Sequence, residues 1–190
     1  VKVIPRTSDV LTGRSSVRLV DFSVEDLLRR APAVADYSEF GEYLTGARVL
    51  VTGAGGSIGS ELCRQIASLR PASLVLLGHG ENSIHQIYCE LRAAFPEMAE
   101  RIDYAIASVS HAERIGQVFR RYRPGVVFHA AAHKHVPMME ENEQEAVHNN
   151  VLGTRCIAEA CGRYGVERVV LVSTDKAADP CCVMGITKWL

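Results

Sequence analysis

The sequence lacks a long apolar run, a surplus of charge and cysteines at metal-binding spacing. Its longest apolar stretches, such as 74–78, are far shorter than the roughly 20 residues that a membrane-spanning helix needs. The 21 Lys and Arg residues balance 22 Asp and Glu residues to a net charge of −1, which does not indicate a nucleic-acid partner. No charged segment followed by an apolar one opens the chain, so no secretory signal is predicted. The six cysteines include no C-x-x-C pair, which favours free thiols in a reducing cytosol over a zinc site or a disulfide framework.

What is present is the composition of a soluble globular protein, with 47% hydrophobic and 23% charged residues. Residues 1–46 differ from the rest, because a strand near 1–5 ends at a proline and 21–30 has the N-cap spacing of a short helix. We predict that 1–46 is a linker or the end of a preceding domain and that 47–190 is a domain of its own. Because the first residue is Val1 and the last, Leu190, falls in mid-pattern, we expect a fragment of a longer protein.

From residue 47 onward, short apolar strands alternate with segments of helical spacing. The predicted strands are 49–51, 73–77, 102–107, 125–130 and 169–173, and the predicted helices are 59–69, 82–95, 111–121 and 144–163. Short apolar strands separated by helices indicate a parallel sheet that is covered on both faces. Right-handed crossovers between the strands then give an α/β fold with a doubly wound parallel sheet, the Rossmann fold.

The first strand runs into a glycine-rich turn that leads directly into a helix. Glycine permits the tight turn, lets the backbone approach a diphosphate and allows the helix to pack close to the strand. Free amides at the helix N-terminus then favour the anion. The strand-to-helix context therefore predicts dinucleotide binding. The candidate cofactor-binding residues of this turn are Gly53, Gly55, Gly56, Ser57, Ile58 and Gly59.

The sequence leaves the choice between NAD and NADP open. A carboxylate is expected about 20 residues after the glycines, where it would bind the ribose hydroxyls. Gly78 stands there instead, and Glu81 is an alternative that an exposed loop position explains equally well. No arginine follows the second strand to favour a 2′-phosphate.

Beyond the turn, several motifs resemble one group of enzymes. They are Thr52–Gly59, the segment 129–137 (HAAAHKHVP), 149–154 (NNVLGT), 173–177 (STDKA) and 183–185 (VMG) with Lys188. From about Arg18 to the end, the chain is similar to bacterial nucleotide-sugar 4,6-dehydratases of the extended short-chain dehydrogenase/reductase superfamily. The resemblance implies a UDP-N-acetylhexosamine substrate, bound NAD or NADP, a homo-oligomer and a role in surface-polysaccharide or protein-glycan synthesis. Because larger members are membrane-anchored, we expect the longer protein on the cytoplasmic side of the bacterial inner membrane, attached only through upstream segments.

The resemblance also implies roles for individual residues. In the implied reaction a hydride leaves C4 of the hexose, water is lost across C5 and C6, and the hydride returns to C6. Thr174 would hydrogen-bond the sugar near O4, Asp175 would be the acid at O6 and Lys176 the base at C5. Lys188 would hold the nicotinamide ribose. The tyrosine that usually precedes this lysine by four residues is Met184 here, as in the long members of the group.

Further candidates follow the fourth and third strands. Ala130, Ala131 and Ala132 would let the cofactor lie close to the end of the fourth strand, and Ser108 stands where relatives place an aspartate near adenine. Lys134 and His135 are candidates for the substrate's phosphates, with solvent exposure as the alternative. Asn150 is a candidate to support a water or a backbone kink. His129, His133 and His135 could suggest a metal, but no carboxylate or cysteine completes a recognisable set, so no metal site is predicted.

Two other functions remain open from the sequence. A C4 epimerase of the same superfamily is disfavoured by Asp175 and Lys176 after the fifth strand. A non-catalytic nucleotide-binding module is motivated by Gly78 and Ser108, and titrations with NAD+ and NADP+ would distinguish it from an enzyme. The group's substrate-binding lobe follows the active lysine, so the fold is expected to be truncated before it and these 190 residues alone are expected to be inactive.

Overall fold

A computed structural model describes residues 2–3, 20–21 and 37–190, with side chains from residue 41 onward. Contacts divide the chain into two compact units, Val1–Tyr37 and Ser38–Leu190. In the first unit, strand β1 (Lys2–Val3) pairs antiparallel with β2 (Val20–Asp21), and the helix predicted at 21–30 lies largely outside the described residues. The domain boundary between 46 and 47 stays a prediction.

The second unit is built on a parallel sheet of five strands. The strands are β3 (Arg48–Thr52), β4 (Ser73–Gly78), β5 (Ile102–Ile106), β6 (Val126–His129) and β7 (Arg168–Leu171). Their order is β5-β4-β3-β6-β7, so the chain winds outward from β3 in one direction and from β6 in the other. This arrangement confirms the predicted α/β fold with a doubly wound parallel sheet. The order reverses between β3 and β6, which opens a crevice at the carboxyl ends of these strands.

Helices cover both faces of the sheet, because successive strand residues point to opposite sides. The helices of the described residues are α1 (Tyr37–Leu44), α2 (Ser57–Ser68), α3 (Glu81–Ala94), α4 (Ala112–Tyr122), α5 (Val136–Glu140), α6 (Glu143–Ala146), α7 (Gly153–Tyr164) and α8 (Val183–Trp189). Val49 and Val51 pack with α2 and α3, whereas Leu50 packs with α4 and α7. Short 3₁₀ segments lie at Pro96–Arg101 and Asp175–Ala177. No helix in the described part of the chain is long and apolar enough to cross a membrane.

The region from α6 to α7 differs from the sequence prediction. The helix predicted at 144–163 is interrupted by a π-helical segment at Val147–Leu152. The last strand, β7, ends at Leu171 and is exposed along its whole length, unlike the buried strands β3 and β6. Helices α1, α5 and α8 were not predicted, since all three are too short for a clear period in the sequence.

Candidate functional site

The turn after β3 fits a diphosphate because its glycines leave no room for side chains. Gly53 has a φ of +68°, and a Cβ atom there would lie 2.7 Å from the backbone nitrogen of Ala131. A Cβ at Gly59 would strike the carbonyl oxygen of Gly53, so helix α2 can approach the strand only with glycine at this place. Gly56 caps α2 without any side-chain hydrogen bond, which leaves the first amides of the helix free for an anion.

A cleft of about 220 Å³ lies at this turn, between the loops that follow β3, β4 and β6. Of the predicted cofactor residues, it is lined by Gly53, Gly55, Gly56, Ala130, Ala131 and Ala132. The structure does not bring the other candidates to its wall. Ser57 and Gly59 belong to α2, Ile58 is 54% exposed, and Ser108 is an exposed residue bonded to the hydroxyl of Ser110 at 2.9 Å.

Sequence reasoning missed part of the cleft wall. His79, Gly80, Ser83, His133 and Asn149 also line it. The signal available was the run 78–80 (Gly-His-Gly) at the end of β4, which lets the chain turn tightly into α3. Ser83 is held in place by donating to the carbonyl oxygen of Gly80 at 3.0 Å, and a Cβ at Gly55 would collide with its side chain. The start of α3 is therefore packed against the glycine-rich turn.

His129, at the end of β6, is a buried link rather than a metal ligand. Its Nδ1 lies 2.6 Å from the hydroxyl of Thr52, and its Nε2 lies 3.0 Å from the hydroxyl of Thr154. Because Thr154 donates to the carbonyl oxygen of Asn150, it must accept from Nε2–H, which leaves Nδ1 to accept from Thr52. Burial, with a smaller contribution from the charge of Lys188, lowers the pKa of His129 to about 4. The imidazole is therefore neutral at pH 7.

Asn150 joins the loop after β6 to helix α8. It lies within the π-helical segment, is 2% exposed and accepts from the amide of His133 at 2.8 Å. Its own amide donates to the carbonyl oxygen of His133 and to the hydroxyl of Thr187, both at 3.0 Å. The side chain thus fixes the spacing between the cleft and the residue before Lys188.

The candidate acid–base residues lie together after β7. Thr174 donates to the carboxylate of Asp175 at 2.9 Å, and Lys176 Nζ lies 3.4 Å from the same oxygen. The hydroxyl of Thr174, and after it the charge of Lys176, lower the pKa of Asp175. The two ionisable side chains are 89% and 51% exposed. They are adjacent to each other and open to solvent in the described part of the chain.

Helix α8 carries Met184 and Lys188 and packs on the same turn. A Cβ at Gly185 would lie 2.6 Å from the carbonyl oxygen of Lys176, so glycine permits this contact. Met184 is buried, whereas Lys188 donates to the carbonyl oxygen of Val172 at 3.2 Å, and burial lowers the pKa of its ammonium group. The helix is capped by the sulfur of Cys182, which accepts from the amide of Gly185 at 3.3 Å.

The remaining candidates lie between β6 and α5. Lys134 and His135 are both exposed, and His135 is the residue that precedes α5. His133, beside them, has its Nε2 3.2 Å from the carboxylate of Glu145. Among the described residues, no group of three or more His, Cys, Asp or Glu side chains could hold a metal ion.

The doubly wound sheet and the glycine-rich turn at its crevice, called the glycine cradle below (Gly53–Gly59), are those of the Rossmann fold, which defines the class of protein. Residues 49–190 match the family described as "Polysaccharide biosynthesis protein", and the chain belongs to this family. It is 49% identical to "Probable polysaccharide biosynthesis protein EpsC" of Bacillus subtilis over 99% of its length and 47% identical to the capsular polysaccharide biosynthesis protein CapD of Staphylococcus aureus over 97%. The chain spans 31% of each of these proteins.

More distant relatives include enzymes of known reaction. The chain is 32% identical to a UDP-N-acetylglucosamine 4,6-dehydratase (inverting) of Campylobacter jejuni, over 75% of this chain and 41% of that protein. Among solved structures, Pen from Bacillus thuringiensis matches with a TM-score of 0.70 and 27% identity, over 77% of this chain and 43% of that one. A UDP-glucose 4-epimerase from Stenotrophomonas maltophila with bound NAD has a TM-score of 0.67 at 21% identity, which shows the shared fold alone.

Proposed function

We propose that this chain is the cofactor-binding part of an NAD(P)-dependent nucleotide-sugar 4,6-dehydratase of polysaccharide biosynthesis. The observation that carries the proposal is the pairing of Asp175 and Lys176 beside Thr174 at the carboxyl end of β7, on the same sheet edge as the glycine cradle. Ligands of open α/β sheets bind along this edge. Similarity to a dehydratase of Campylobacter jejuni supports the same reaction.

The glycine cradle fits the diphosphate of NAD or NADP, because a turn this close to the neighbouring backbone is possible only without side chains at Gly53 and Gly59. Amides at the start of α2 would bind the diphosphate, and Ala130–Ala132 would allow the cofactor to lie close to the end of β6. Lys188, held by the carbonyl oxygen of Val172, would bind the ribose next to the nicotinamide. When bound, the oxidised cofactor supplies a reversible hydride acceptor, taking hydride from C4 and giving it back to C6.

The side chains of this chain would move the protons. Thr174 would orient the hexose through its O4 and pass the O4 proton to Asp175, to which it donates a hydrogen bond, and loss of this proton and of the C4 hydride leaves a ketone that acidifies the C5 proton. Lys176 would remove the C5 proton while the protonated Asp175 gives its proton to the departing 6-hydroxyl, so that water leaves. Lys176 would then return its proton to C5. Lys176 acts as a base only when neutral and Asp175 as an acid only when protonated, so the reaction requires the substrate to desolvate this exposed pair and raise the pKa of the carboxyl group.

Met184 stands where a tyrosine base would otherwise be expected, and a thioether cannot take up a proton. Met184 is buried in a cluster with Met139 and Ala146, which gives it a packing role. The proposed proton transfers therefore depend on Thr174, Asp175 and Lys176. A C4 epimerase needs no acid for a departing 6-hydroxyl, so the Asp175–Lys176 pair favours the dehydratase. The homo-oligomer, the membrane attachment and the UDP-sugar substrate are parts of the same proposal.

The test uses the full-length protein that contains this chain, incubated with UDP-N-acetylglucosamine and analysed by mass spectrometry. We expect a product that has lost one water, and we expect Asp175→Asn and Lys176→Met to reduce its formation at least a hundredfold. Asp179→Asn, an equally small change at an exposed aspartate four residues on, serves as the matched control and should retain full activity. Conversion to a C4 epimer without loss of mass would contradict the proposal.

A further inference from the structure

The wall of the cleft that Gly78, His79 and Gly80 form carries no acidic side chain. In dinucleotide-binding folds, a carboxylate after the second strand of the sheet accepts hydrogen bonds from the ribose of NAD and repels the 2′-phosphate of NADP. Gly78 occupies that place, and a Cβ there would lie 2.9 Å from Cδ1 of Ile84. Among the described residues that line the cleft, none is Asp or Glu.

The nearest carboxylate in sequence does not serve the cleft. Glu81 lies in the first turn of α3 and lines a separate hollow of about 370 Å³ with Tyr88 and Tyr104. Its side chain is therefore associated with the neighbouring surface rather than with the wall formed by Gly78, His79 and Gly80. A 2′-phosphate at this wall would meet no like charge from the residues that line it.

His79 supplies a donor at the same place. It lines the cleft, is exposed and forms no hydrogen bond or ion pair with any residue that the structure describes. Its imidazole N–H is thus available to a ligand. Hydrogen bonds to an ionised phosphate are about twice as strong as those between neutral groups, so a donor here favours a phosphorylated ribose over a plain one.

From these observations we infer that the cleft binds NADP in preference to NAD and that His79 is the residue that determines this specificity. The inference rests on the proposed function, since it assumes that a nicotinamide dinucleotide occupies the cleft. It goes further by choosing between two cofactors. It also assigns a role to a side chain that the sequence motif of the glycine-rich turn does not include.

The experiment is a pair of calorimetric titrations of the full-length protein that contains this chain, one with NADP+ and one with NAD+. We expect a dissociation constant for NADP+ several-fold lower than that for NAD+. His79→Asp places a carboxylate at the wall without the collision that a side chain at Gly78 would cause, and should weaken NADP+ at least tenfold while changing NAD+ less than threefold. His79→Ala should remove the preference without reversing it.

The matched control is His85→Asp, which makes the same substitution six residues further along the chain, within α3 and outside the cleft lining. It should leave the ratio of the two dissociation constants unchanged. Binding of neither dinucleotide would overturn the proposed function itself. Equal binding, or tighter binding of NAD+, would overturn only the inference, as would equal weakening of both dinucleotides by His79→Asp in a protein whose circular dichroism matches the wild type.

Discussion

The candidate site has a first end, the glycine-rich turn, and a second, acid–base end, which carries Thr174, Asp175 and Lys176. The two ends are built differently. The glycine-rich turn follows a buried strand and is shaped mainly by backbone, because Gly53 faces the backbone of Ala131 and Gly59 faces Gly53. The side chain of Ser83 packs against Gly55. The acid–base end follows an exposed strand, and its carboxylate is 89% exposed. The first end is fixed by steric contacts within this chain, whereas the second has its groups in place but open to water.

This contrast shows which part of the chemistry each end can support. A diphosphate site made of main-chain amides needs only the correct turn, so it is complete once β3, α2 and the loop after β6 are packed. Acid–base chemistry needs pKa values shifted toward the working pH, which requires removal of water. Asp175 has its pKa lowered, the opposite of what a general acid needs. Substrate or another part of the protein must therefore cover this end before it can act.

The largest effect is expected at the first end. Gly53→Ala forces a side chain into a left-handed backbone conformation and against Ala131, at a cost on the order of 3 kcal/mol, and should weaken NAD(P)+ binding on the order of 100-fold. Calorimetric titration measures the change. Gly162→Ala in α7 is the control, because a Cβ there has no neighbour within 4 Å, and this variant should gain about 0.5–1 kcal/mol of stability. Unaltered binding by Gly53→Ala would remove the steric basis of the cradle.

The next effect concerns His129, which links β3 to α7. Its pKa is about 4 in the folded protein and 6.5 as the ordinary value, so the unfolded chain takes up the proton first as the pH falls. Stability should be constant above about pH 6.5 and should decrease between 6.5 and 4 by up to about 3 kcal/mol. Urea unfolding at pH 7, 6 and 5 measures this loss. His129→Gln should flatten the profile in that window and the exposed His148→Gln should not; identical slopes for all three proteins would contradict the assignment.

A smaller loss of stability is expected at Asn150, which joins the loop after β6 to helix α8. Asn150→Leu leaves the amide and carbonyl of His133 without their partner and should cost about 2 kcal/mol. Hydrogen exchange should rise both in the loop after β6 and in α8, because one side chain holds both. Asn142→Leu, at an exposed asparagine, should cost less than about 1 kcal/mol. Faster exchange in the loop alone would show that the two ends are independent.

The smallest effect is expected far from both ends. Arg64 in α2 makes a two-bond contact with Glu90 of α3, at 2.6 and 3.1 Å. Both side chains are partly exposed, so Arg64→Met should cost at most about 1 kcal/mol and leave dinucleotide binding unchanged. Arg155→Met removes a comparable pair within one helix and should cost less still. A tenfold loss of NAD(P)+ affinity in Arg64→Met would mean that the cradle depends on the α2–α3 contact.

The sequence predicted the sheet well because buried parallel strands are continuous apolar runs. The five strands were placed within one or two residues, since a run such as 73–77 is bounded by turn residues on both sides. The glycine-rich turn was equally clear, because its chemistry follows from residue type and from its place between strand and helix. The fold class and six of the cleft-lining residues were thus available without coordinates.

Long-range side-chain contacts could not be predicted from the sequence in the same way. His133 and Asn150 are 17 residues apart. No local pattern indicates that the side-chain amide of Asn150 forms hydrogen bonds with both the N–H and the carbonyl oxygen of His133. The π-helical segment has the same apolar spacing as an ordinary helix, so the sequence predicted a continuous one. No local pattern indicates that His79 lines the cleft, because the absence of a carboxylate at Gly78 does not show which neighbouring side chain takes its place.

The contact between Gly185 and the carbonyl oxygen of Lys176 has one more consequence. Because glycine lets the helix approach the short turn at its backbone, the main chain holds the Cα atoms of the lysines at positions 176 and 188 at a nearly constant separation. A movement of this turn toward the glycine-rich turn would therefore carry both lysines together, and the groups proposed for proton transfer and for ribose binding would keep their relative placement.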